Sequence, residues 1–166
     1  LEGRKIGLDG VIEQHKNYMK EGFRLAYHNI RNEGVIQGKC CDGIISMQSV
    51  PFEKVLRYDR QCFPAEREIF LKAWLSMPNI STAAKMDGDV LKGYGVIRSC
   101  HAGFKIGPLF ADDAETAEQL LLTLAQYADG APLYFDTPEV NPAAVALAEK
   151  YNMKRVFETV RMYNEE

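Results

Sequence analysis

The chain has 166 residues, enough for one globular domain and too few for two complete ones. Hydrophobic residues make up 46% and charged residues 26%, which excludes disordered, collagen-like and coiled-coil proteins. The net charge is −3, and no long run of either sign favours nucleic acid or a membrane surface. A small-molecule partner is therefore the expectation.

Three local features of the sequence further narrow the class of protein to which the chain can belong. The longest apolar runs fall far short of the ~20 residues that a membrane span needs. Residues 1–5 lack an initiating Met and an apolar signal-like stretch, so we expect the chain to be a piece of a longer protein. The four cysteines have neither paired C-x-x-C spacing nor histidine partners at zinc-ligand intervals, which argues against a metal site and fits a reduced, cytoplasmic protein.

The first half of the chain predicts a helix, a strand and a linker, then a short strand and two helices. Gly22 can end the first helix in a left-handed conformation, and the glycine-bearing polar stretch at 32–43 is typical of a linker. The predicted elements are a helix at 10–21, a strand at 23–30, a boundary near residue 40, a strand at 44–48, and helices at 51–62 and 64–75.

The second half predicts an antiparallel meander followed by alternating helices and strands. Asp112 and Glu115 have the spacing of a helix-capping box, and Asn141-Pro142 is typical of a helix start. The predicted elements are strands at 81–86, 90–100 and 104–110, a helix from 112, a strand at 133–137, a helix from 141 to about 151, and a strand at 153–163.

The end of the chain repeats its beginning. Residues 18–27 align with residues 148–157 at a constant offset, so that Phe23 meets Met153 and Arg31 meets Arg161. Both segments predict a helix, a left-handed cap and a strand. Such units are common enough for a chance match; if the repeat is real, residues 1 to about 38 are the tail of a preceding domain.

The order of elements, together with the strand and Asn-x-x-Ala-x-x-Leu helix at 133–150, resembles the GNAT superfamily of acetyl-CoA-dependent N-acetyltransferases. Tyr18 to Phe23 is similar to the end of the same unit in a first copy. The resemblance covers residues 45–163 as one domain and 9–31 as the remnant of another, as in the second domain of a tandem-GNAT protein.

The resemblance implies an α+β fold: a mixed, mainly antiparallel sheet with flanking helices and a splay between the fourth and fifth strands of the family. It implies three segments. Residues 1–38 are the C-terminal helix and strand of a preceding GNAT-like domain, 39–44 are a linker, and 45–166 are a GNAT-like domain.

The resemblance also implies an acetyl-CoA site. Gly107 and Pro108 suit the family's fourth strand, which offers unpaired backbone groups to pantetheine, because proline lacks a ladder donor and glycine permits a bulge. Without the family argument, an ordinary edge-strand bulge explains the pair equally well. Beside them we expect Leu109 and Phe110. The diphosphate would lie at the next helix N-terminus, near Thr116 and Ala117, and Asn141 would contact a cofactor amide, although helix capping alone explains that residue.

The sequence departs from the family pattern in the diphosphate loop. Asp112, Asp113 and Glu115 stand where the family has cationic or amide residues and glycine, and each carboxylate would repel a diphosphate. Their capping role explains all three. The acidic loop therefore argues against binding of CoA by this domain.

Two residues are candidates for proton transfer. The family's tyrosine that protonates the departing thiolate falls on Ala148 in the later copy and on Tyr18 in the first. Asp136 is placed to deprotonate an amine, and it is equally a normal residue before a Thr-Pro turn.

Three charged residues of the first predicted helices are candidates for contact with the acceptor. Asp59, Glu66 and Arg67 are either acceptor contacts or a solvated helix face.

The function implied by the resemblance is transfer of acetyl from acetyl-CoA to a small-molecule amine by direct attack in a ternary complex. The alternative is a catalytically silent GNAT-like module that supports a preceding active domain of the same protein. Gly107-Pro108 and Asn141 favour the enzyme, whereas the acidic loop and Ala148 favour the silent module.

Overall fold

The computed structural model describes residues 4–63 and 65–164. Within these ranges there are eight strands, mostly antiparallel, and five α-helices, which confirms the predicted α+β fold. In chain order the elements are β1 (Gly7–Val11), α1 (His15–Lys20), β2 (Arg24–Gly34), β3 (Ile44–Ile45), α2 (Phe52–Cys62), α3 (Glu68–Leu75), β4 (Ile80–Asp87), β5 (Val90–Cys100), β6 (Gly103–Ala111), α4 (Ala114–Ala125), β7 (Leu133–Pro138), α5 (Pro142–Lys150) and β8 (Lys154–Tyr163).

The chain forms two compact units. One combines Leu1–Gly34 with Phe135–Glu166, and the other is Val35–Tyr134. We call them the terminal unit and the central unit. The predicted segments 1–38, 39–44 and 45–166 are a different division, which assigns each part of the chain to a preceding domain, a linker or a GNAT-like domain. That division stays a prediction.

In the central unit, helices cover both faces of the antiparallel strands β3 to β6. Tyr94 of β5 packs in a buried cluster with Val55 of α2 and Leu71 of α3. Its neighbours Gly93 and Gly95 face the side chains of Thr116 and Leu124 on α4, because successive strand residues point to opposite faces. The core therefore lies in two layers, one on each side of the strands.

In the terminal unit, β2 and β8 form a central antiparallel pair with a local two-fold relation. His28 pairs with Val160, Asn29 with Thr159 and Ile30 with Glu158. The residues related by the sequence repeat thus exchange places across the pair, and Asn29 and Thr159 lie at its centre. The two repeated segments therefore occupy equivalent positions in the terminal unit.

Strand β1 corrects the sequence prediction. Residues 10–21 are predicted as one helix, whereas residues 7–11 form a strand on β8, a 3₁₀ turn follows at Ile12–Gln14, and α1 begins only at His15. Pairing with residues about 150 positions away overrides the local helical pattern, because β8 supplies the hydrogen bonds.

Three other boundaries differ from prediction. The strand expected at 44–48 ends at Ile45, and a 3₁₀ turn follows at Met47–Ser49. The stretch expected to start the linker at residue 32 belongs to β2 as far as Gly34. The helix expected from Pro64 begins at Glu68, and Pro64 itself lies outside the described residues.

Candidate active site

Strand β6 is bulged at the residues expected to face a cofactor. In its pairing with β5, Gly95 lies opposite Leu109 and Ile97 opposite Ile106, so that two residues, Gly107 and Pro108, face one. Their peptide bond is cis. Because proline has no backbone N–H, it cannot donate to the ladder here. The bulge lies where the sequence indicates one.

One side of the bulge is open, and another side is held by a hydrogen bond. A side chain added at Gly107 would meet no atom within 4 Å. The carbonyl oxygen of Gly107 accepts a hydrogen bond of 3.3 Å from Nε1 of Trp74 on α3. Trp74 therefore fixes the bulge while Gly107 leaves its outer side free for a neighbour.

The residues after the bulge pack into the protein. Leu109 lies beside Gly95 on the side of α4, and Phe110 packs edge-to-face on Tyr94 with ring centroids 5.6 Å apart. Both side chains are half-buried. Packing in the core accounts for their hydrophobic character, and their predicted role beside a cofactor stays a prediction.

The N-terminus of α4 is occupied by a side chain of the chain itself. Oδ1 of Asp113 accepts a 2.7 Å hydrogen bond from the backbone N–H of Thr116, and Oδ2 accepts a 3.0 Å bond from the Thr116 hydroxyl. The N–H of Ala117 donates to the Asp113 carbonyl. The hydrogen bond from the Thr116 backbone is the main reason that the pKa of Asp113 lies below its ordinary value. The cap is thus Asp113, one residue after the predicted Asp112.

Asp112 has a different partner. Its carboxylate accepts a 2.8 Å hydrogen bond from the Tyr58 hydroxyl of α2, which also contacts the carbonyl of Lys92. Burial and then this hydrogen bond raise the pKa of Tyr58. Asp112 therefore joins α2 to the end of β6.

A buried ion pair lies between α2 and α3. The carboxylate of Asp59, which is fully buried, accepts bonds of 2.8 and 2.6 Å from the Arg67 guanidinium and one of 2.5 Å from the Tyr94 hydroxyl. Glu66, in contrast, is exposed and pairs with Arg60. Asp59 and Arg67 are thus a buried structural pair, and of the three acceptor candidates only Glu66 lies on a solvated face.

The remaining candidates belong to the terminal unit. Both carboxylate oxygens of Asp136 on β7 accept from Arg31 of β2, at 2.8 and 3.0 Å. The ring of Tyr18 lies directly over Gly10, where a side chain would collide with it. Oδ1 of Asn141 accepts from the N–H of Ala144 at 3.1 Å and caps α5.

These contacts locate each candidate within its own unit. Sequence reasoning missed the guanidinium on Asp136 and the indole on Gly107, because both partners are distant in the chain. It missed the identity of the α4 cap although Asp113 and Thr116 have the spacing of a cap that accepts from the N3 N–H. The splay between the fourth and fifth strands involves both units and stays a prediction.

Comparison with known proteins decides the family. A family described as acetyltransferase (GNAT) domain matches residues 55–166, more than half of the chain. The chain belongs to the GNAT acetyltransferase family. This confirms the resemblance seen in the sequence.

Longer relatives match nearly all of this GNAT chain. Holothin acyltransferase of Pseudoalteromonas sp. (strain SANK 73390) is 29% identical over 163 residues, which cover 96% of this chain and 55% of the relative. A proposed acetyltransferase from Pyrococcus horikoshii superposes with a TM-score of 0.77 at 26% identity, over 96% of this chain and 52% of that one. A GCN5-related N-acetyltransferase from Sphaerobacter thermophilus shares the fold, with a TM-score of 0.63 at 14% identity over 96% and 59%. The chain therefore spans about half the length of these relatives.

Acetyl-CoA is the co-substrate that the GNAT fold implies, and the residues at the N-terminus of α4 do not fit its diphosphate. Asp113 takes the Thr116 N–H, one of the donors that this helix N-terminus could offer to an anion, and Asp112 and Glu115 add two further exposed carboxylates. No helix in the described ranges is long and apolar enough to cross a bilayer.

Proposed function

We propose that this chain is a GNAT module that does not itself bind acetyl-CoA and that supports an active acetyltransferase domain of the same protein. The reaction served is acetyl transfer from acetyl-CoA to a small-molecule amine in the cytoplasm. The observation that carries the proposal is the Asp113 carboxylate, which fills the anion-binding position at the start of α4. The similar holothin acyltransferase, of which the chain spans about half, supports a partner domain.

Electrostatics and capping both oppose a diphosphate at α4. Each carboxylate at about 4 Å repels a unit negative charge by about 1 kcal/mol in water, and more where solvent is excluded. A ligand that displaced Asp113 would also forfeit the helix cap, worth about 1 kcal/mol. The two costs act at the same place, so they add for any anion bound there.

The second candidate is acetyl transfer by this chain itself, through direct attack in a ternary complex. The open outer side of Gly107 and the missing donor at Pro108 favour it, because pantetheine amides need unpaired backbone groups. Asn141 would then add an amide contact, with Asp136 as base and Tyr18 as acid. Against this, Arg31 already holds both oxygens of Asp136.

Calorimetric titration of the 166-residue chain with acetyl-CoA separates the two candidates. We expect no saturable heat up to about 1 mM ligand, which corresponds to binding weaker than about −4 kcal/mol. Asp113→Gly should gain affinity because it frees the donors of Thr116, whereas the matched Asp113→Asn keeps a capping oxygen and should gain less. Saturable binding to the unaltered chain below about 1 mM would contradict the proposal and favour the second candidate.

A further inference from the structure

The outer edge of β4 is only partly covered. Strand β3 pairs with β4 at two positions, Ile44 with Lys85 and Ile45 with Ala84. Strand β4 begins four residues earlier, at Ile80. In the described part of the chain, residues 80–83 therefore have a strand neighbour, β5, on one side only.

The chain leaves this edge for a local reason. The Ser46 hydroxyl accepts a 3.3 Å hydrogen bond from the N–H of Gln48 and caps the 3₁₀ turn at Met47–Ser49. Met47 and Val50 are then buried in the cluster beneath α2. This burial takes the backbone after Ile45 away from β4. A pocket therefore lies beside residues 80–83.

The pocket along this edge is neutral and amphipathic. Its volume is about 380 Å³, within the range of small-ligand sites. Its lining combines serine and threonine hydroxyls with apolar side chains, and none of its lining residues carries a charge. Ile45 and Met77 stand exposed at its rim. An ammonium or phosphate ligand would lose its hydration here without gaining a counter-charge, so an uncharged ligand fits best.

One lining residue carries an unused hydrogen-bonding group. Oγ1 of Thr123 on α4 is buried and has no hydrogen-bond partner in the described structure. Leaving a buried polar group without a partner is unfavourable. A ligand with an amide or hydroxyl group would satisfy it.

We propose that the β4 edge pocket binds an uncharged, peptide-like ligand of about three residues, which lies extended along residues 80–83 as an added strand. The backbone of β4 supplies the main-chain hydrogen bonds, and the apolar rim holds alternate side chains. A pocket of about 380 Å³ matches a ligand of this size rather than the edge of a whole second chain. This site is independent of acetyl-CoA.

The probe is the blocked tripeptide acetyl-Val-Thr-Val-amide, titrated into the ¹⁵N-labelled chain. We expect saturable chemical-shift changes confined to the amides of residues 80–83 and the pocket walls. The same peptide with N-methylated amides cannot donate hydrogen bonds and should bind at least ten-fold more weakly. Thr123→Val should weaken binding about five-fold. It removes an unpaired hydroxyl without changing the shape, so the variant should fold normally.

Val90→Thr, an exposed change at the far end of β4 and β5, is the matched control and should leave binding unchanged. Absence of shifts at millimolar peptide overturns the proposal. So do equal shifts with the N-methylated peptide, and so does a concentration-dependent shift of the same amides without peptide, which would assign the edge to a second copy.

Discussion

Asp59 shows how burial changes the meaning of a charged residue. Helix α2 carries several charged side chains, and in the sequence Asp59 is indistinguishable from the exposed ones. In the structure Arg67 and Tyr94 surround it. Burial by itself would raise the pKa of Asp59, but the hydrogen bonds from Arg67 and Tyr94 outweigh it and the pKa is lowered.

Asp59→Asn should therefore destabilise the chain by about 3 kcal/mol at pH 7, because Arg67 is left without its counter-charge. A carboxyl whose pKa is lowered on folding stabilises the protein above its ordinary value of about 4 and loses that contribution as pH falls through the lowered pKa. Urea unfolding should therefore show a difference in unfolding free energy between the unaltered chain and Asp59→Asn. This difference should be full at pH 7 and decrease below pH 4.

The exposed pair of Glu66 and Arg60 is the control for this comparison. Glu66→Gln should cost less than about 1 kcal/mol at pH 7. An equal cost for Asp59→Asn and Glu66→Gln would contradict the assignment of Asp59 to a buried structural pair.

At the scale of elements, two glycines of β6 have opposite roles. Gly103 starts the strand with φ of +97°, and its missing side chain lets the carbonyl of Pro132 approach closely. Gly107 has no such neighbour and no left-handed backbone. One glycine is thus required by geometry, and the other leaves space.

Gly103→Ala should destabilise the chain by about 2 kcal/mol, because the added methyl group meets backbone and the residue keeps a left-handed conformation. Gly107→Ala should change the unfolding free energy by less than about 0.5 kcal/mol. Thermal and urea unfolding measure both. A loss of stability in Gly107→Ala as large as in Gly103→Ala would show that the outer side of the bulge is not free.

At the scale of the whole molecule, the first and last parts of the chain depend on each other. Both neighbours of β8, namely β1 and β2, come from the first 34 residues. The ion pairs follow the same pattern, since Arg31 of β2 binds Asp136 of β7 and Arg161 of β8 binds Asp9 of β1. The two repeated segments therefore stabilise each other through strand pairing and ion pairs.

Deletion of residues 1–34 should unfold what remains of the terminal unit. Without β1 and β2, the buried Val160 and Met162 of β8 lose their strand neighbours. Hydrogen exchange followed by mass spectrometry should show β8 amides that exchange at the rate of an unfolded chain, while those of β5 stay protected in the central unit. Protection of β8 equal to that in the intact chain would contradict this mutual stabilisation.

Most helices and strands and the bulge at Gly107-Pro108 could be predicted from the sequence, because turn residues, caps and hydrophobic periodicity are local patterns. The fold class and the family followed from the resemblance of the element order and motifs to the GNAT superfamily. Four features became visible only in three dimensions: residues 7–11 form a strand, Asp113 caps the start of α4, Arg31 binds Asp136, and Asp59 is buried. Each depends on a partner distant in the chain or on competition between neighbouring caps, and neither distance in space nor burial is encoded in a local pattern.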